Sequence, residues 1–264
     1  MRETLAVITG ASSGLGVVFA RKLAAEHDLL LVARRKDRLD ALAAELADEY
    51  GCEVEVLPAD LADERELAVV ADRIAVEPRL ALLVNNAGFG ARGLFWESDL
   101  EVQEQMHRLH VMATVRLSHA ALRNLVAKNA GGVINVASVA AFLQRAGSVS
   151  YGATKRWMTA FTEGLYLELE GIGSAVKVQA LCPGFTFTEF HATLGVDRAN
   201  VAPFSLWLQP EFVVDESLSA LHKGKLVVVP GWKYKALVAL VSKLPTKLRL
   251  AFEAAGSTKN SRWK

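Results

Sequence analysis

The sequence predicts an α/β fold with one seven-stranded parallel sheet, doubly wound, with helices on both faces. Seven short apolar runs alternate with longer segments, several rich in the helix-forming residues Ala, Leu and Glu. The runs are apolar throughout, as in parallel strands that are covered on both faces. Right-handed crossovers between such strands produce a doubly wound sheet.

The apolar runs and helical patterns place each element along the chain. The predicted strands are 5–9, 29–33, 53–57, 80–84, 132–137, 175–182 and 225–229. The first predicted helix follows a glycine-rich loop and extends to about residue 26. The other predicted helices cover 36–50, 63–76, 99–129, about 150–171 and 210–222. There is no linker, low-complexity tract or repeat beyond this alternation, so residues 1–264 are expected to form a single domain. A helical tail is expected at about 232–264.

Composition excludes several classes of function. The 264 residues contain 30 basic and 29 acidic side chains, a net charge of +1 that argues against a nucleic-acid binder. Cys52 and Cys182 lie in apolar runs and are expected to be buried thiols, and no metal-binding spacing is present. The first strand begins near residue 5, which leaves no room for a signal peptide, and no run is long enough to span a bilayer. We therefore expect a cytoplasmic protein without a metal.

A glycine-rich loop joins the first strand to the first helix. Gly10, Gly14 and Gly16 allow the backbone to approach a pyrophosphate, whose charge the helix N-terminus favours. Glycines also form ordinary tight turns, but the strand–turn–helix placement favours dinucleotide binding. The predicted contacts within the loop are Gly10, Ser12, Ser13, Gly14, Leu15 and Gly16.

The end of the second strand predicts which dinucleotide binds. NAD sites have an acidic residue here, whereas this chain has Ala33 followed by Arg34 and Arg35. An arginine can bind a 2′-phosphate through two hydrogen bonds, so we expect NADP(H). The alternative is that both arginines are solvated charges at the start of a helix.

Tyr151 and Lys155 are four residues apart in a predicted helix and therefore share one face. A nearby ammonium favours the phenolate and lowers the tyrosine pKa from its ordinary value of about 10. Ser138 follows a buried strand and can donate to a substrate oxygen. The three residues predict a general acid/base site, although a Tyr-x-x-x-Lys pair alone also occurs by chance.

With these motifs in order, the chain resembles the short-chain dehydrogenase/reductase family, whose members have a Rossmann-like fold. The resemblance covers about residues 4–230 and also includes Asp60, Asn85-Asn86-Ala87-Gly88 and Pro183-Gly184-Phe-Thr-Phe-Thr188. It implies that Tyr151 transfers a proton, Ser138 polarises the carbonyl and Lys155 binds the nicotinamide ribose. It further implies that Asp60 and Leu61 contact the adenine ring and that Asn86, Ala87 and Gly88 stabilise the fourth strand and the cofactor. The resemblance places Pro183, Gly184, Thr186 and Thr188 at the nicotinamide end of the cofactor.

One position departs from the family pattern. The family usually has an asparagine in the helix after the fourth strand, and its backbone carbonyl binds a water linked to the lysine. Here that position is His110, which we include among the candidate catalytic residues. It could join a proton relay because its pKa is near neutrality, or it could be a packing substitute. His107 and His119 are expected at the surface or an interface.

Apolar residues at the carboxyl edge of the sheet suggest a hydrophobic carbonyl or alcohol substrate, although several of them could be ordinary core. They are Phe89, Phe95, Trp96, Leu143, Gln144, Phe190, Leu194, Phe204, Leu206 and Trp207. The segment 189–210 is expected to close the pocket.

The basic, amphipathic tail could contact a membrane or cover the cleft of its own subunit. A homodimer is expected, with Trp157, Phe161 and Leu165 as candidate interface residues.

The sequence therefore predicts an NADP(H)-dependent oxidoreductase, most simply a carbonyl reductase. A second hypothesis is a 3-oxoacyl-thioester reductase of lipid metabolism. A hypothesis from another class is a dinucleotide-binding regulator with little turnover, for which His110 is the only supporting feature.

Overall fold

The computed structural model describes residues 2–190 and 203–258, and these contain the expected seven-stranded parallel sheet. Its strand order is β3-β2-β1-β4-β5-β6-β7. The strands are β1 Leu5–Thr9, β2 Asp28–Ala33, β3 Val54–Pro58, β4 Leu80–Asn85, β5 Gly132–Val136, β6 Lys177–Leu181 and β7 Val227–Val228. The predicted Rossmann-like α/β class is confirmed.

Helices connect the strands and cover both faces of the sheet. They are α1 Gly14–Leu23, α2 Lys36–Tyr50, α3 Glu64–Ala75, α4 Leu100–His107, α5 Ala113–Lys128, α6 Val149–Gly171, α7 Pro210–His222, α8 Trp232–Ser242 and α9 Thr246–Thr258. One buried cluster contains residues of α1, α2 and α7, and the other contains residues of α3, α5 and α6. Two apolar layers therefore enclose the sheet, as the uniformly apolar strands predicted.

The order of the strands determines where a ligand can bind. The chain leaves β1 towards β2 and β3, and then crosses back to β4 on the other side of β1. The loops that follow β1 and β4 therefore diverge at the carboxyl edge and leave a crevice between them. This topological switch point places the glycine loop beside Asn86, Ala87 and Gly88.

Several element boundaries differ from the sequence prediction, most clearly those of three elements. The helix predicted over 99–129 is interrupted by a π-helical turn, Arg108–Met112, between α4 and α5. Strand β7 is only two residues long, whereas five were predicted. Helix α1 ends at Leu23 rather than near Glu26, and turns connect it to β2.

The predicted tail is helical as far as it is described, in α8 and α9; residues 259–264 lie outside the described part. Among the described residues, none of the helices has both the length and the apolar character needed to cross a bilayer. Cys52 and Cys182 are both buried free thiols, as predicted.

A buried carboxylate, that of Asp28, links the segments that precede β1, β3 and β4 at the amino-terminal edge of the sheet. Asp28, 1% exposed, accepts hydrogen bonds from the backbone N–H groups of Arg2 at 2.8 Å and Glu53 at 2.9 Å. It also accepts one from the Arg79 guanidinium at 2.7 Å. Burial raises the pKa of this carboxyl, but the hydrogen bonds outweigh burial and leave the pKa below its ordinary value. Its charge therefore stabilises the fold above about pH 4, and this contribution falls as pH drops through the folded-state pKa.

We expect Asp28→Asn to lower the free energy of unfolding by about 2 kcal/mol at pH 7, because a buried charged acceptor loses its charge. Urea denaturation at pH 7 and at pH 3.5 measures this, and the difference from the parent should narrow at the lower pH. Glu45→Gln is the control, since Glu45 pairs with Arg21 at an exposed site and should cost under about 1 kcal/mol. Equal losses for both variants at pH 7 would contradict the assignment.

Candidate active site

The glycine loop between β1 and α1 is closed by contacts that leave no space for side chains. Gly10 has φ of +66°, and a Cβ there would lie 2.8 Å from the Asn86 side-chain nitrogen. A Cβ on Gly16 would lie 2.3 Å from the carbonyl oxygen of Gly10. The backbone therefore approaches itself closely, and both glycines are sterically required.

Thr9 and Asn86 fix the loop to the end of β4. The Thr9 hydroxyl accepts from the backbone N–H groups of Asn86 and Ala87, at 2.9 and 3.0 Å, and donates to Val84. The Asn86 amide donates to the carbonyl oxygens of Thr9 and Gly10, at 2.9 and 3.3 Å. The Asn-Ala-Gly motif thus positions the glycine loop.

The start of α1 is suited to a phosphate. Ser13 precedes the helix in an extended conformation, and its side chain makes no capping hydrogen bond to the first turn in the described structure. First-turn N–H groups are therefore open to an anion. A Cβ on Gly14 would lie 3.1 Å from the Cβ of Thr188, so the segment after β6 borders the same loop. The residues present fit a dinucleotide pyrophosphate.

The two predicted arginines directly follow β2, and one of them contacts the glycine loop. Arg35 donates from Nε to the Ser12 hydroxyl at 3.1 Å and from a terminal nitrogen to the Ser12 carbonyl at 3.3 Å. Arg34 is largely exposed and lies 3.7 Å from the Asp60 carboxylate. Leu61 is a core residue, 4% exposed, so any contact with adenine would have to come through its backbone. The arginines thus flank the glycine loop where a ribose 2′-phosphate is expected.

Ser138, Tyr151 and Lys155 come together at the carboxyl end of β5. The Lys155 side chain is 4% exposed and donates from Nζ to the Val136 carbonyl at 2.7 Å. Its Nζ lies 5.9 Å from the centre of the Tyr151 ring. Ser138 accepts from the Ala140 N–H at 3.2 Å, donates to the Pro183 carbonyl at 3.5 Å and lies close enough to the Tyr151 hydroxyl to affect its pKa. The three candidate catalytic residues are therefore assembled in one place.

The protonation states at this site depend mainly on burial. Burial raises the pKa of the Tyr151 hydroxyl, and the nearby Ser138 hydroxyl only partly opposes this. Burial lowers the pKa of Lys155 to about 8. The expected lowering of the tyrosine pKa by Lys155 is therefore not found in the protein alone. Tyr151 is a neutral phenol at neutral pH, in the state that can donate a proton.

His110 lies in the π-helical turn and links two parts of the site. The Phe89 backbone N–H donates to Nε2 at 3.2 Å, so Nε2 carries no hydrogen. Nδ1 therefore carries the hydrogen and donates to the Thr154 hydroxyl at 2.9 Å. Thr154 in turn donates to the Tyr151 carbonyl at 3.0 Å. Gly88 permits this approach, because a Cβ there would lie 2.8 Å from Nε2.

The His110 imidazole is fully buried and uncharged. Burial, and then the charge of Lys155, hold its pKa well below the ordinary value. Both ring nitrogens are engaged, so the geometry favours a positioning role over proton transfer, which stays a prediction. The His110 carbonyl accepts from the Thr114 hydroxyl at 2.8 Å. This carbonyl lies in the π-helical turn, where the helix is distorted. His107 is exposed and contacts the Gln103 carbonyl at 2.8 Å.

The segment after β6 is fixed by a residue that sequence reasoning missed. Tyr234 of α8 packs on Gly184, where a Cβ would lie 2.1 Å from its ring. Its hydroxyl accepts from the Phe185 N–H at 3.0 Å and donates to the Leu206 carbonyl at 2.8 Å. Pro183 and Thr186 of this segment are buried, and Thr186 donates to the Gly184 carbonyl at 3.0 Å. The start of the tail thus supports the predicted nicotinamide-binding segment.

The predicted substrate-contact residues lie in different environments. Phe190 lies 5.7 Å from the Tyr151 ring and Phe89 lies 6.1 Å from the His110 ring, so both line the cleft. Trp207 is 7% exposed and packs with Phe185 and Phe187, so it is core instead. Phe95, Trp96 and Phe204 are exposed at the surface. Leu194 lies outside the described residues.

The end of the tail reaches the substrate side of the cleft. Glu253 of α9 accepts from the Gln144 backbone N–H at 3.1 Å, and a Cβ on Gly152 would lie 2.7 Å from the Gln144 side-chain oxygen. Gln144 therefore lies between the tail and the helix of Tyr151. Of the two expectations for the tail, this contact favours the one in which it covers the cleft of its own subunit.

With this geometry established, comparison with known proteins identifies the class. A family model described as short chain dehydrogenase matches residues 4–199. The chain therefore belongs to the short-chain dehydrogenase/reductase family and is an oxidoreductase that acts on CH–OH and C=O groups with a dinucleotide cofactor. One similar protein is sulfoacetaldehyde reductase 2 of Chromohalobacter salexigens. It is 36% identical over 190 residues, which cover 70% of this chain and 74% of the relative.

Solved structures show the same similarity. A short-chain dehydrogenase from Sphingobium yanoikuyae in complex with NADPH superimposes with a TM-score of 0.82 and is 36% identical; the alignment covers 92% of this chain and 97% of that one. Another short-chain dehydrogenase/reductase, from Burkholderia phymatum in complex with NAD, has a TM-score of 0.79 and 26% identity. That alignment covers 90% of this chain and 92% of the other.

We expect His110 to stay neutral throughout pH 5.5–8.5, because burial disfavours the imidazolium and both nitrogens are hydrogen-bonded. The measurement is an NMR titration of the imidazole signals, with the His110 resonances assigned by their loss in His110→Gln. The chemical shifts of His110 should stay constant across the range. A titration with a midpoint near 6.5 would instead support the proton-relay role.

Proposed function

We propose that this protein is an NADPH-dependent carbonyl reductase, reversible as an alcohol dehydrogenase, with Tyr151 as the proton donor. The observation that carries the proposal is the position of the Tyr151 ring, 5.9 Å from the Nζ of buried Lys155, which is itself held by the Val136 carbonyl two residues before Ser138. These residues lie at the carboxyl edge of the sheet, on the same crevice as the glycine loop. We also propose that residues 1–264 act as one dinucleotide-binding and catalytic domain.

Each residue has a defined part in the proposed reaction. The Ser138 hydroxyl and the Tyr151 phenol both donate to the substrate carbonyl oxygen, and Tyr151 transfers its proton as that oxygen gains negative charge. A bound reduced nicotinamide supplies the hydride that reaches the carbonyl carbon. Lys155 binds the nicotinamide ribose and keeps a positive charge near the phenolate that remains. Burial keeps Tyr151 protonated beforehand, which supports the reductive direction.

The residues near Tyr151 support an apolar substrate. Phe190 and the loop of Phe89 present aromatic rings to the site, and the tail covers the side nearest Gln144. The relative from Chromohalobacter salexigens is named for reduction of an aldehyde, which supports carbonyl reduction but not a particular carbonyl compound. The 3-oxoacyl-thioester alternative stays a prediction, and no described contact favours the regulator hypothesis.

The preference for NADP(H) rests on Arg34 and Arg35 at the end of β2. Two guanidinium groups beside the glycine loop suit a 2′-phosphate, and Ala33 provides no carboxylate to repel it. The NADPH complex of the Sphingobium yanoikuyae relative supports this choice, whereas the NAD complex of the other relative shows that the fold accepts either cofactor. The cytoplasmic location, the homodimer through Trp157, Phe161 and Leu165, and membrane contact by the tail stay predictions.

We expect Tyr151→Phe to lower kcat by at least about 10³-fold, since it removes the proton donor and leaves the ring in place. The affinity for NADPH should stay within twofold, as measured by fluorescence titration. Activity is measured as the loss of NADPH absorbance on a panel of apolar ketones, aldehydes and 3-oxoacyl thioesters. Tyr166→Phe on the same helix is the matched control and should retain parental activity. Full activity of Tyr151→Phe would rule out the mechanism.

We expect Arg34→Asp to shift the kcat/KM ratio of NADPH to NADH by about 100-fold towards NADH, because a carboxylate repels the 2′-phosphate and accepts from a ribose hydroxyl. Arg123→Asp, which makes the same change of charge at an exposed position on α5, is the control. An unchanged ratio in Arg34→Asp would contradict the assignment of the 2′-phosphate site.

A further inference from the structure

A carboxylate lies between two arginines at the proposed 2′-phosphate site. Glu189, which directly follows Thr188, accepts from Arg38 at 2.8 Å on one oxygen and 2.9 Å on the other. Arg35 donates to the second of these oxygens at 3.2 Å. Two guanidinium groups therefore converge on a single oxygen of Glu189. Neither Arg38 nor Glu189 was predicted from the sequence to contact the cofactor.

The position of this ion-pair cluster connects it to the glycine loop. The guanidinium of Arg35 that contacts Glu189 also donates to the hydroxyl and the carbonyl of Ser12. Ser12 belongs to the loop that follows β1, and Arg35 follows the end of β2. The Glu189 carboxylate is thus bound where the loop after β1 meets the end of β2. This is the place where a 2′-phosphate is expected.

The chemistry of the cluster favours a phosphate over a carboxylate. A phosphate monoester carries close to two negative charges at neutral pH and has three acceptor oxygens, whereas a carboxylate carries one charge and two oxygens. Arg35, Arg38 and Glu189 have side chains between 40% and 49% exposed, so an incoming ligand can reach them. Such exposed pairs are weak and readily exchanged.

We propose that Glu189 is an internal competitor for the 2′-phosphate and that Arg38 is a third arginine that binds this group. The inference rests on the proposed use of NADP(H). Binding of a 2′-phosphate would displace the Glu189 carboxylate from Arg35 and Arg38. Glu189 then lowers the affinity for NADP(H) without affecting NAD(H), which makes it a specificity-determining residue.

The displacement also couples the two ends of the cofactor site. Glu189 is joined directly to Thr188, which packs against Gly14 in the glycine loop and belongs to the predicted nicotinamide-binding segment. Release of Glu189 frees this segment from its ion pairs with α2. A ligand that binds more tightly when Glu189 is away from Arg38 must strengthen 2′-phosphate binding. By thermodynamic linkage, the 2′-phosphate strengthens the binding of that ligand by the same factor.

The test compares two nucleotides that differ only in the 2′-phosphate. Adenosine 2′,5′-bisphosphate and adenosine 5′-monophosphate are titrated by calorimetry into the parent, Glu189→Gln, Arg38→Gln and Glu45→Gln at one salt concentration. Glu45→Gln is the matched control, because Glu45 pairs with Arg21 on α1 and α2 at similar exposure and its loss changes the net charge equally. All four proteins differ only at exposed side chains, so each is expected to fold.

In Glu189→Gln the bisphosphate should bind about two- to fivefold more tightly than in the parent, the range expected for loss of a competing exposed ion pair. In Arg38→Gln it should bind about fivefold more weakly. The monophosphate should bind equally to all four proteins, and Glu45→Gln should match the parent with both ligands.

The outcomes separate this inference from the proposed function. If the parent binds both nucleotides equally, the 2′-phosphate site is absent, and both the proposed preference for NADP(H) and the role of Glu189 are overturned. If the parent favours the bisphosphate but Glu189→Gln matches Glu45→Gln, only the competitor role of Glu189 is overturned. Weaker bisphosphate binding in Glu189→Gln overturns it too, because Glu189 would then be orienting the arginines.

Discussion

The buried hydrogen bond from Lys155 to the Val136 carbonyl is the interaction on which the candidate site depends. It fastens α6 to the end of β5, and Ser138 follows two residues after Val136, so one contact sets the distance between Ser138 and Tyr151. The same burial that lowers the pKa of Lys155 to about 8 raises that of Tyr151. Geometry and protonation therefore share one physical origin, the exclusion of water from the edge of the sheet.

The fold and the centre of the site could be predicted because their signals are local. An uninterrupted apolar run indicates a buried parallel strand wherever it occurs, and a segment rich in helix-forming residues indicates a helix. Both β1 and α2 were therefore predicted with the bounds that the structure has. Gly10 directly follows β1, and Gly16 lies in the first turn of α1. The spacing alone places Tyr151 and Lys155 on one face of a helix. Only their proximity to Ser138 had to be predicted from the resemblance to a family.

What the sequence did not predict depends on residues far apart in the chain. Arg38 and Glu189 meet across 151 residues, and Tyr234 contacts Phe185 across 49. No short-range pattern distinguishes such side chains from solvated charges or core aromatics. Trp207 shows the reverse error, since an aromatic residue in an expected lid turned out to pack in the core. The effect of Lys155 on Tyr151 was misjudged for a related reason: charge was considered without burial.

The π-helical turn Arg108–Met112 constrains the length of its helix more than its composition. Such a turn accommodates one residue more than an α-helical turn does. Deleting any one residue within it would restore a continuous α-helix and change the directions of the side chains inside the turn, while the flanking helices would stay nearly in register. The imidazole of His110 would then leave Phe89 and Thr154, even if every other residue in the segment were retained. Homologous chains that keep this histidine bridge should therefore tolerate substitutions here but not insertions or deletions.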